Sequence, residues 1–323
     1  MDERILQLLK ERSPDFLSGE EMGRLLNVSR AAVWKKVRGL KALGYEIEAT
    51  TRSGYRLTRS PDLLTPAEVG PILKTEWIGG KIHHFETLDS TNSTAYQLAM
   101  EGAREGELVI AESQRKGRGR LGREWFSPPF LNVYLSVILR PKIPPQQASL
   151  ITLMAAVATS DAIEKFSGLH PSIKWPNDIL LGNRKVAGLL NEIHSETDRI
   201  HFVVLGIGVN LNVDTETMPE EIRKSATSVK EEAGQAVSRK AFLQCLLSEV
   251  EKWYSVFLKE GGGAIVRAWG ERARIEGKAV KVTSFGETLA GTAVGIDPYG
   301  ALLLKTESGE QKRVVAGDVS YRK

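Results

Sequence analysis

Residues 117–125 read GRGRLGREW, a glycine-rich and arginine-rich segment that follows a predicted strand at residues 108–112. The wider segment 113–123 holds five basic residues and no acidic one. Glycines let backbone N–H groups approach an anion, and arginine forks bind phosphates, so we expect a loop that gathers around a polyphosphate. Without an anion, mutual repulsion predicts an open or disordered loop. A second contact with nucleic acid is the alternative for such a run.

The glycines of this loop also fit the dinucleotide pattern G-x-G-x-x-G, at Gly117, Gly119 and Gly122. That pattern needs a helix directly afterwards and an acid about 20 residues later. Here residues 125–129 read WFSPP, which cannot open a helix, and residues 139–142 contain no acid. A nicotinamide-dependent dehydrogenase is therefore not expected.

The loop lies within a region of alternating strand and helix patterns that extends to about residue 270. Strands are predicted at 82–87, 108–112, 132–139, 173–175, 186–193 and 202–211, and helices near 93–101, 146–166 and 239–257. This pattern predicts a mixed α/β domain.

Three further segments add polar groups to the loop. Residues 174–178 read KWPND and place a cation and an acid around a proline at a strand end. Lys185 comes directly before the next predicted strand. Residues 90–92 read STN at the start of a predicted helix, where anions are favoured. Together these segments predict one binding site.

The first 59 residues carry a different pattern. Helices are predicted at 1–11, from about 20 and at 30–43, and residues 45–57 read as two short strands. Residues 29–59 hold eight basic and two acidic residues. This is typical of a winged helix-turn-helix domain that binds DNA, whose candidate contacts are Ser29, Arg30, Trp34, Lys35, Arg38 and Arg52. The alternative is a three-helix packing module with a solvated charged face.

Composition limits the remaining possibilities. The chain has 323 residues, a net charge of +4 and one cysteine, Cys245. A single cysteine cannot form an internal disulfide, which predicts a reducing compartment and a cytoplasmic protein. The longest nearly apolar stretch, 148–159, is too short to cross a membrane. His83 and His84 point to opposite faces of a strand, so no resident metal site is predicted.

The combination of GRGRLGREW, KWPND, RKVAGLL and GIGVNLN resembles the bacterial biotin–protein ligase family, in its bifunctional form that also represses the biotin operon. The resemblance covers essentially the whole chain. It implies an α+β multidomain protein with a winged helix-turn-helix domain at 1–65, a central mixed α/β ligase domain, class II synthetase-like, at 66–272, and a small SH3-like β-barrel at 273–323.

The resemblance also implies the chemistry. Biotin and ATP, with Mg²⁺, would form biotinyl-5′-AMP, and the biotinyl group would pass to a lysine of the biotin carboxyl carrier protein of acetyl-CoA carboxylase or pyruvate carboxylase. Lys174, Arg120 and Lys185 are the implied catalytic residues. The implied biotin and ATP contacts are Ser90, Thr91, Asn92, Gln114, Arg118, Gly119, Arg120, Arg123, Trp125, Asn177, Asp178, Lys185, Gly188 and Asn210.

Biotinyl-5′-AMP would also be the corepressor, which favours a homodimer that binds operator DNA of the biotin genes. Two alternatives remain at this point. One is a lipoate-type protein ligase, because a shared fold does not by itself determine the ligand. The other is a metabolite-sensing DNA-binding repressor without ligase activity. For Trp125 and Trp175, plain core packing is the competing interpretation.

Overall fold

The computed structural model describes residues 2–284 and 287–321. The chain divides into two compact units, Met1–Pro71 and Ile72–Lys323. No helix in the described part of the chain is both long and apolar enough to span a membrane.

The first unit is built from three helices and a two-stranded antiparallel sheet. Its elements are α1 (Asp2–Arg12), α2 (Gly19–Leu26), α3 (Arg30–Ala42), β1 (Glu46–Thr50), β2 (Gly54–Arg59) and the short α4 (Pro66–Val69). Ser18 and Ser29 cap α2 and α3, since their side chains accept from the backbone N–H groups of Glu21 and Ala32. Asn27, in the left-handed region at φ 52°, ends α2. This is the predicted winged helix-turn-helix arrangement.

The core of the first unit follows the predicted helix periodicity. Ile5 of α1, Met22 of α2 and Val33 of α3 are each 0% exposed. The short helix α4 also belongs to this unit, because Lys10 and the buried carboxylate of Glu68 form an ion pair at 2.6 Å. The first unit therefore extends several residues beyond the second strand of the wing.

The central part of the second unit is a seven-stranded mixed sheet covered by helices. Its strands are β3 (Ile82–Leu88), β4 (Leu108–Gln114), β5 (Val133–Leu139), β6 (Pro171–Lys174), β7 (Asp178–Leu181), β8 (Arg184–Ser195) and β9 (Ile200–Val209). They lie in the order β3-β4-β5-β9-β8-β7-β6. Only β3 and β4 are parallel among these neighbours. The mixed α/β prediction is confirmed.

The helices of this part are α5 (Thr91–Met100), α6 (Ser149–Ser167), α7 (Glu220–Arg223), α8 (Val229–Ala233), α9 (Arg239–Glu260) and α10 (Gly262–Ala273). The predicted helices correspond to α5, α6 and α9. Strand β7 and helices α7, α8 and α10 were not predicted. Strand β7, DILL, is too short to show a period.

The last part of the second unit is a five-stranded antiparallel sheet. Its strands are β10 (Ala279–Ser284), β11 (Glu287–Ile296), β12 (Leu302–Lys305), β13 (Gln311–Val314) and β14 (Asp318–Tyr321), in the order β13-β12-β11-β10-β14. Strands β10 to β13 pair in sequence order, as in a meander, and β14 then pairs with β10 on the other side. Hydrogen bonds join it to the central part: among them, Trp175 Nε1 donates to the Gly300 carbonyl at 3.0 Å, and Ser149 Oγ donates to the Tyr299 carbonyl at 2.6 Å.

Candidate functional site

A cavity of about 650 Å³ opens over one face of the central sheet. The residues predicted for the ligase site all line it: Ser90, Thr91, Asn92, Gln114, Arg118, Gly119, Arg120, Arg123, Trp125, Lys174, Asn177, Asp178, Lys185, Gly188 and Asn210. Segments that are far apart in the sequence therefore meet at one place. Their individual roles stay predictions.

The start of helix α5 forms one wall of the cavity. Gln114, at the end of β4, accepts from the backbone N–H of Thr91 at 2.9 Å, so its amide partners the first turn of the helix. The Gln114 amide nitrogen donates to Ser127 Oγ at 3.0 Å, and that hydroxyl donates to the Trp125 carbonyl at 2.9 Å. One chain of hydrogen bonds thus joins the helix to the far end of the arginine loop.

Trp125 lies on a floor made by two glycines. Gly188 of β8 and Gly208 of β9 are register partners. A Cβ at either position would come within 2.8 Å or 2.7 Å of the indole ring. The indole Nε1 is buried and has no hydrogen-bond partner among the described residues. Trp125 is therefore part of the cavity surface, with its Nε1 side against the Gly208 backbone.

The arginine loop is closed against acidic partners. Arg115 pairs with Asp89 at 2.9 Å, Arg118 pairs with Glu192 at 2.9 Å, and Arg123 pairs with Asp318 of β14. The prediction of an open loop is wrong for this structure, because carboxylates from other segments neutralise the repulsion that the local sequence implies. The pKa of Asp89 is lowered, chiefly by its hydrogen bond from Arg115.

Arg120 is the loop arginine that turns into the protein. Its Nη1 donates to Asn177 Oδ1 at 3.1 Å and to the Gly317 carbonyl at 3.4 Å. Burial lowers the pKa of its guanidinium, although the charges of Asp318 and Asp178 oppose this effect. A cation held in a partly desolvated place interacts more strongly with an anion than one in water.

The two predicted lysines differ in their surroundings. Lys185 Nζ lies 2.6 Å from Asp178 Oδ1 and 5.2 Å from the centre of the Trp125 ring. The side chain of Lys174 has no hydrogen bond or ion pair with another described residue, although its backbone pairs with Asp178 in the sheet. Its ammonium is therefore available to an anionic ligand without first breaking a contact.

The asparagines of the site are anchored through their amide nitrogens. Asn177 Nδ2 donates to the Leu189 carbonyl at 2.7 Å, and Asn210 Nδ2 donates to the Thr227 carbonyl at 3.0 Å.

Trp175 is 2% exposed and does not appear among the cavity-lining residues. Core packing is thus the correct interpretation for Trp175.

The predicted DNA contacts lie in the first unit. Trp34 is 54% exposed on α3, and the Arg38 guanidinium lies 5.1 Å from the centre of its ring. Arg30, Lys35 and Arg52 are also exposed. Ser29 accepts from the Ala32 backbone N–H at 3.2 Å and so caps the helix.

Sequence reasoning missed three residues around the cavity. Ser136 is a fully buried hydroxyl in β5, 2.7 Å from Asn92 Oδ1 and 2.9 Å from Thr91 Oγ1. Glu192 and Asp318 pair with loop arginines. A serine inside the apolar run VYLSVIL was a signal for Ser136, since a buried hydroxyl needs a partner.

The described residues contain no cluster of three side chains that could hold a metal ion. His83 Nε2 lies 2.8 Å from Glu107, and His84 Nε2 lies 3.3 Å from Glu112, a buried carboxylate that also pairs with Arg239. The contacts of both histidines are with carboxylates outside the cavity lining.

Three parts of the chain match known families. Residues 84–210 match the Biotin/lipoate A/B protein ligase family, residues 2–56 match an HTH domain, and residues 276–322 match the Biotin protein ligase C terminal domain.

Relatives match over nearly the full length. The Bifunctional ligase/repressor BirA of Bacillus subtilis (strain 168) is 39% identical over 98% of this chain and 97% of its own. The protein of the same name from Escherichia coli (strain K12) is 31% identical over 95% and 94%. A solved biotin protein ligase from Aquifex aeolicus, in complex with biotin and ATP, matches with TM-score 0.65 and 29% identity, over 76% of this chain and 99% of that one.

Proposed function

Because this chain belongs to the bifunctional biotin–protein ligase and repressor family, we propose that it is an ATP-dependent biotin–protein ligase that also represses transcription from biotin operators. The observation that carries the ligase proposal is the convergence of the arginine loop, the KWPND segment and Lys185 on one cavity. Its volume, about 650 Å³, is in the range of small-molecule sites.

The first half-reaction joins the biotin carboxylate to the α-phosphate of ATP and releases pyrophosphate. Nucleophile and phosphate are both anions, so catalysis requires cations placed where the negative charge develops. Five basic side chains line the cavity: Arg118, Arg120, Arg123, Lys174 and Lys185. Lys174 would bridge the biotin carboxylate and the α-phosphate, since it alone of these five has no side-chain partner among the described residues.

The remaining cavity residues divide between the biotin and the ATP parts of the site. Ser90, Thr91, Asn92, Gln114, Arg118 and Lys185 would bind biotin, with Gly119 and Gly188 giving room for close approach. Arg120 and Arg123 would hold phosphates. Asn177, Asp178 and Asn210 would order the nucleotide. Trp125, with its unpartnered Nε1 donor, would pack against adenine.

Magnesium would enter on the ATP phosphates. Mg²⁺ is commonly held by one or two carboxylates together with substrate phosphates and water, so a cluster of three protein ligands is not required. Asp178 lines the cavity and could supply an oxygen ligand. Bound there, the ion would neutralise charge on the phosphates.

In the second half-reaction a lysine of a biotin carboxyl carrier protein takes the biotinyl group from the adenylate. Mass spectrometry of a carrier domain incubated with the protein, Mg-ATP and biotin tests this proposal. We expect one biotinyl addition per carrier domain. A lipoyl addition with lipoate instead would identify a lipoate ligase, and no addition with either acid would leave only a DNA-binding repressor.

The repressor half of the proposal rests on the first unit. Its exposed basic helix would enter the major groove of operator DNA, and a homodimer formed with biotinyl-5′-AMP would engage two half-sites. Footprinting on the promoters of biotin genes, with and without biotin plus ATP, tests this switch. Equal protection under both conditions would show that the adenylate is not a corepressor.

We also propose domain limits near residues 65 and 272, and a cytoplasmic location where carrier proteins and DNA are both accessible. The first limit is testable by expressing residues 66–323. We expect this fragment to ligate biotin and to lose operator binding.

A further inference from the structure

Glu192 stands beside the cavity without lining it. It lies on β8, and its carboxylate accepts hydrogen bonds from two side chains of the proposed biotin site. Arg118 Nη1 lies 2.9 Å from Oε1 and 3.2 Å from Oε2, and Asn92 Nδ2 lies 3.0 Å from Oε2. The side chain of Glu192 is 22% exposed, against 49% for Arg118. Glu192 therefore joins a buried residue, Asn92, to a half-exposed one, Arg118.

Asn92 is the rigid end of this arrangement. It is 4% exposed, its Nδ2 also donates to the Leu190 carbonyl at 3.1 Å, and its Oδ1 lies 2.7 Å from Ser136 Oγ. The Asn92 amide fills the space above Gly206, where a Cβ would come within 2.0 Å of Oδ1. An amide held at these points has one orientation, with its nitrogen facing Glu192.

Arg118 is the half-exposed end. Its backbone forms an antiparallel bridge with Glu124, and its Nη1 also lies 3.4 Å from Ser93 Oγ, but a long side chain that is 49% exposed has many rotamers open to it unless a partner holds it. Its only described acidic partner is Glu192, and both carboxylate oxygens contact the same nitrogen, Nη1. The other N–H groups of the guanidinium remain for a ligand.

We propose that Glu192 is a positioning residue for the biotin half of the site. It holds Arg118 over the cavity before biotin arrives, through Asn92 and the sheet, and it does not touch the substrate. The Arg118 side chain is then already ordered before biotin binds, so binding costs less conformational entropy. This inference rests on the proposed ligase function. The opposite role, in which Glu192 competes with biotin for Arg118, predicts a change of the opposite sign.

The test is Glu192→Gln in biotin-dependent ATP–pyrophosphate exchange. Glutamine keeps an oxygen for Asn92 Nδ2 and removes the charge that holds Arg118. We expect the KM for biotin to rise about three- to tenfold, because a half-exposed charged hydrogen bond is lost. The kcat and the KM for ATP should change less than about twofold. A lower KM for biotin, or equal changes in both KM values, would overturn the proposal.

Glu196→Gln is the matched control, because Glu196 lies just beyond β8 and pairs with Arg199 at 3.3 Å, outside the cavity. Its KM for biotin should equal that of the parent chain. In an Arg118→Ala background, Glu192→Gln should add no further increase. Effects that multiply would show that Glu192 acts independently of Arg118, and the positioning role would be wrong.

Two further measurements separate the possible failures. If Glu192→Gln does not fold, Glu192→Asp keeps the charge on a shorter side chain and should give a smaller rise in the KM for biotin; no rise there counts against the role. If the parent chain shows no biotin-dependent exchange, the proposed function itself is refuted. Exchange in the parent with an unchanged KM in the variant refutes only the role of Glu192.

Discussion

The indole of Trp125 lies so close to Gly208 that a Cβ at that glycine would come within 2.7 Å of its Cε2 and Nε1. Gly188 is the register partner of Gly208 on the neighbouring strand, and a Cβ there would come within 2.8 Å of Trp125 Cζ3. Lys185 adds a cation 5.2 Å from the ring centre. The two glycines therefore decide where the tryptophan of the loop can rest, and so they shape the proposed nucleotide site.

Gly208→Ala should displace Trp125 from this floor. Overpacking of a tight contact costs about 1–3 kcal/mol, so we expect the KM for ATP to rise roughly tenfold. Gly270→Ala is the control: nothing lies within 4 Å of a Cβ there, and alanine in helix α10 should stabilise the protein by about 0.5–1 kcal/mol. An unchanged KM for ATP in Gly208→Ala would show that Trp125 does not contact the nucleotide.

Lys174→Ala should abolish biotin-dependent pyrophosphate release and leave the fold intact. Loss of one preorganised cation at a developing charge typically lowers kcat by about 100-fold or more. Stability should hardly change, because Lys174 contributes no ion pair among the described residues. Release kinetics and a thermal melt measure both effects. Lys142→Ala, at an exposed position outside the cavity, should behave as the parent does, and full activity in Lys174→Ala would contradict the assigned role.

Asp318→Asn should loosen the arginine loop. The pair that Asp318 forms with Arg123 is largely exposed, and exposed pairs contribute less than about 1 kcal/mol. A free energy of that size corresponds to cleavage of the loop by trypsin about two- to fivefold faster. Glu310→Gln, which removes an acidic partner of Lys312 in the same sheet region, should leave the rate unchanged. Identical cleavage in all three proteins would indicate that β14 does not hold the loop.

Asp297 should stabilise the last sheet in a pH-dependent way. Burial alone would raise its pKa, but the hydrogen bonds from Arg313 and from the backbone N–H groups of Ala301 and Tyr299 lower it overall. Its contribution is therefore complete above the unfolded value near pH 4 and is lost as the pH falls through the lower folded value. At pH 7, Asp297→Asn should lower the free energy of unfolding by about 1–2 kcal/mol.

Urea unfolding of the parent and of Asp297→Asn at a series of pH values measures this difference. The two curves should converge in acid. A difference that persists unchanged at pH 2 would mean that the charge of Asp297 is not its source.

Local sequence patterns were enough to predict the helices and strands that are long or have their own capping residue. Helix α3 has its capping Ser29 and a helical apolar spacing, and the strands β5 and β9 are long apolar runs. The cavity residues were predictable because the family motifs carry them. Strand β7 was missed because four residues show no reliable period.

The sequence by itself determined which residue types would form the site: a glycine loop rich in arginine, a lysine beside KWPND, and a basic helix for DNA. Only the tertiary structure decided how these charges are balanced. Asp318 and Glu192 are 195 and 74 residues from their arginine partners, and the sequence carries no signal for such pairs. The physical reason is that charge neutralisation depends on distance in space, and the loop that would repel itself in isolation is held closed by acids that the sheets bring to it.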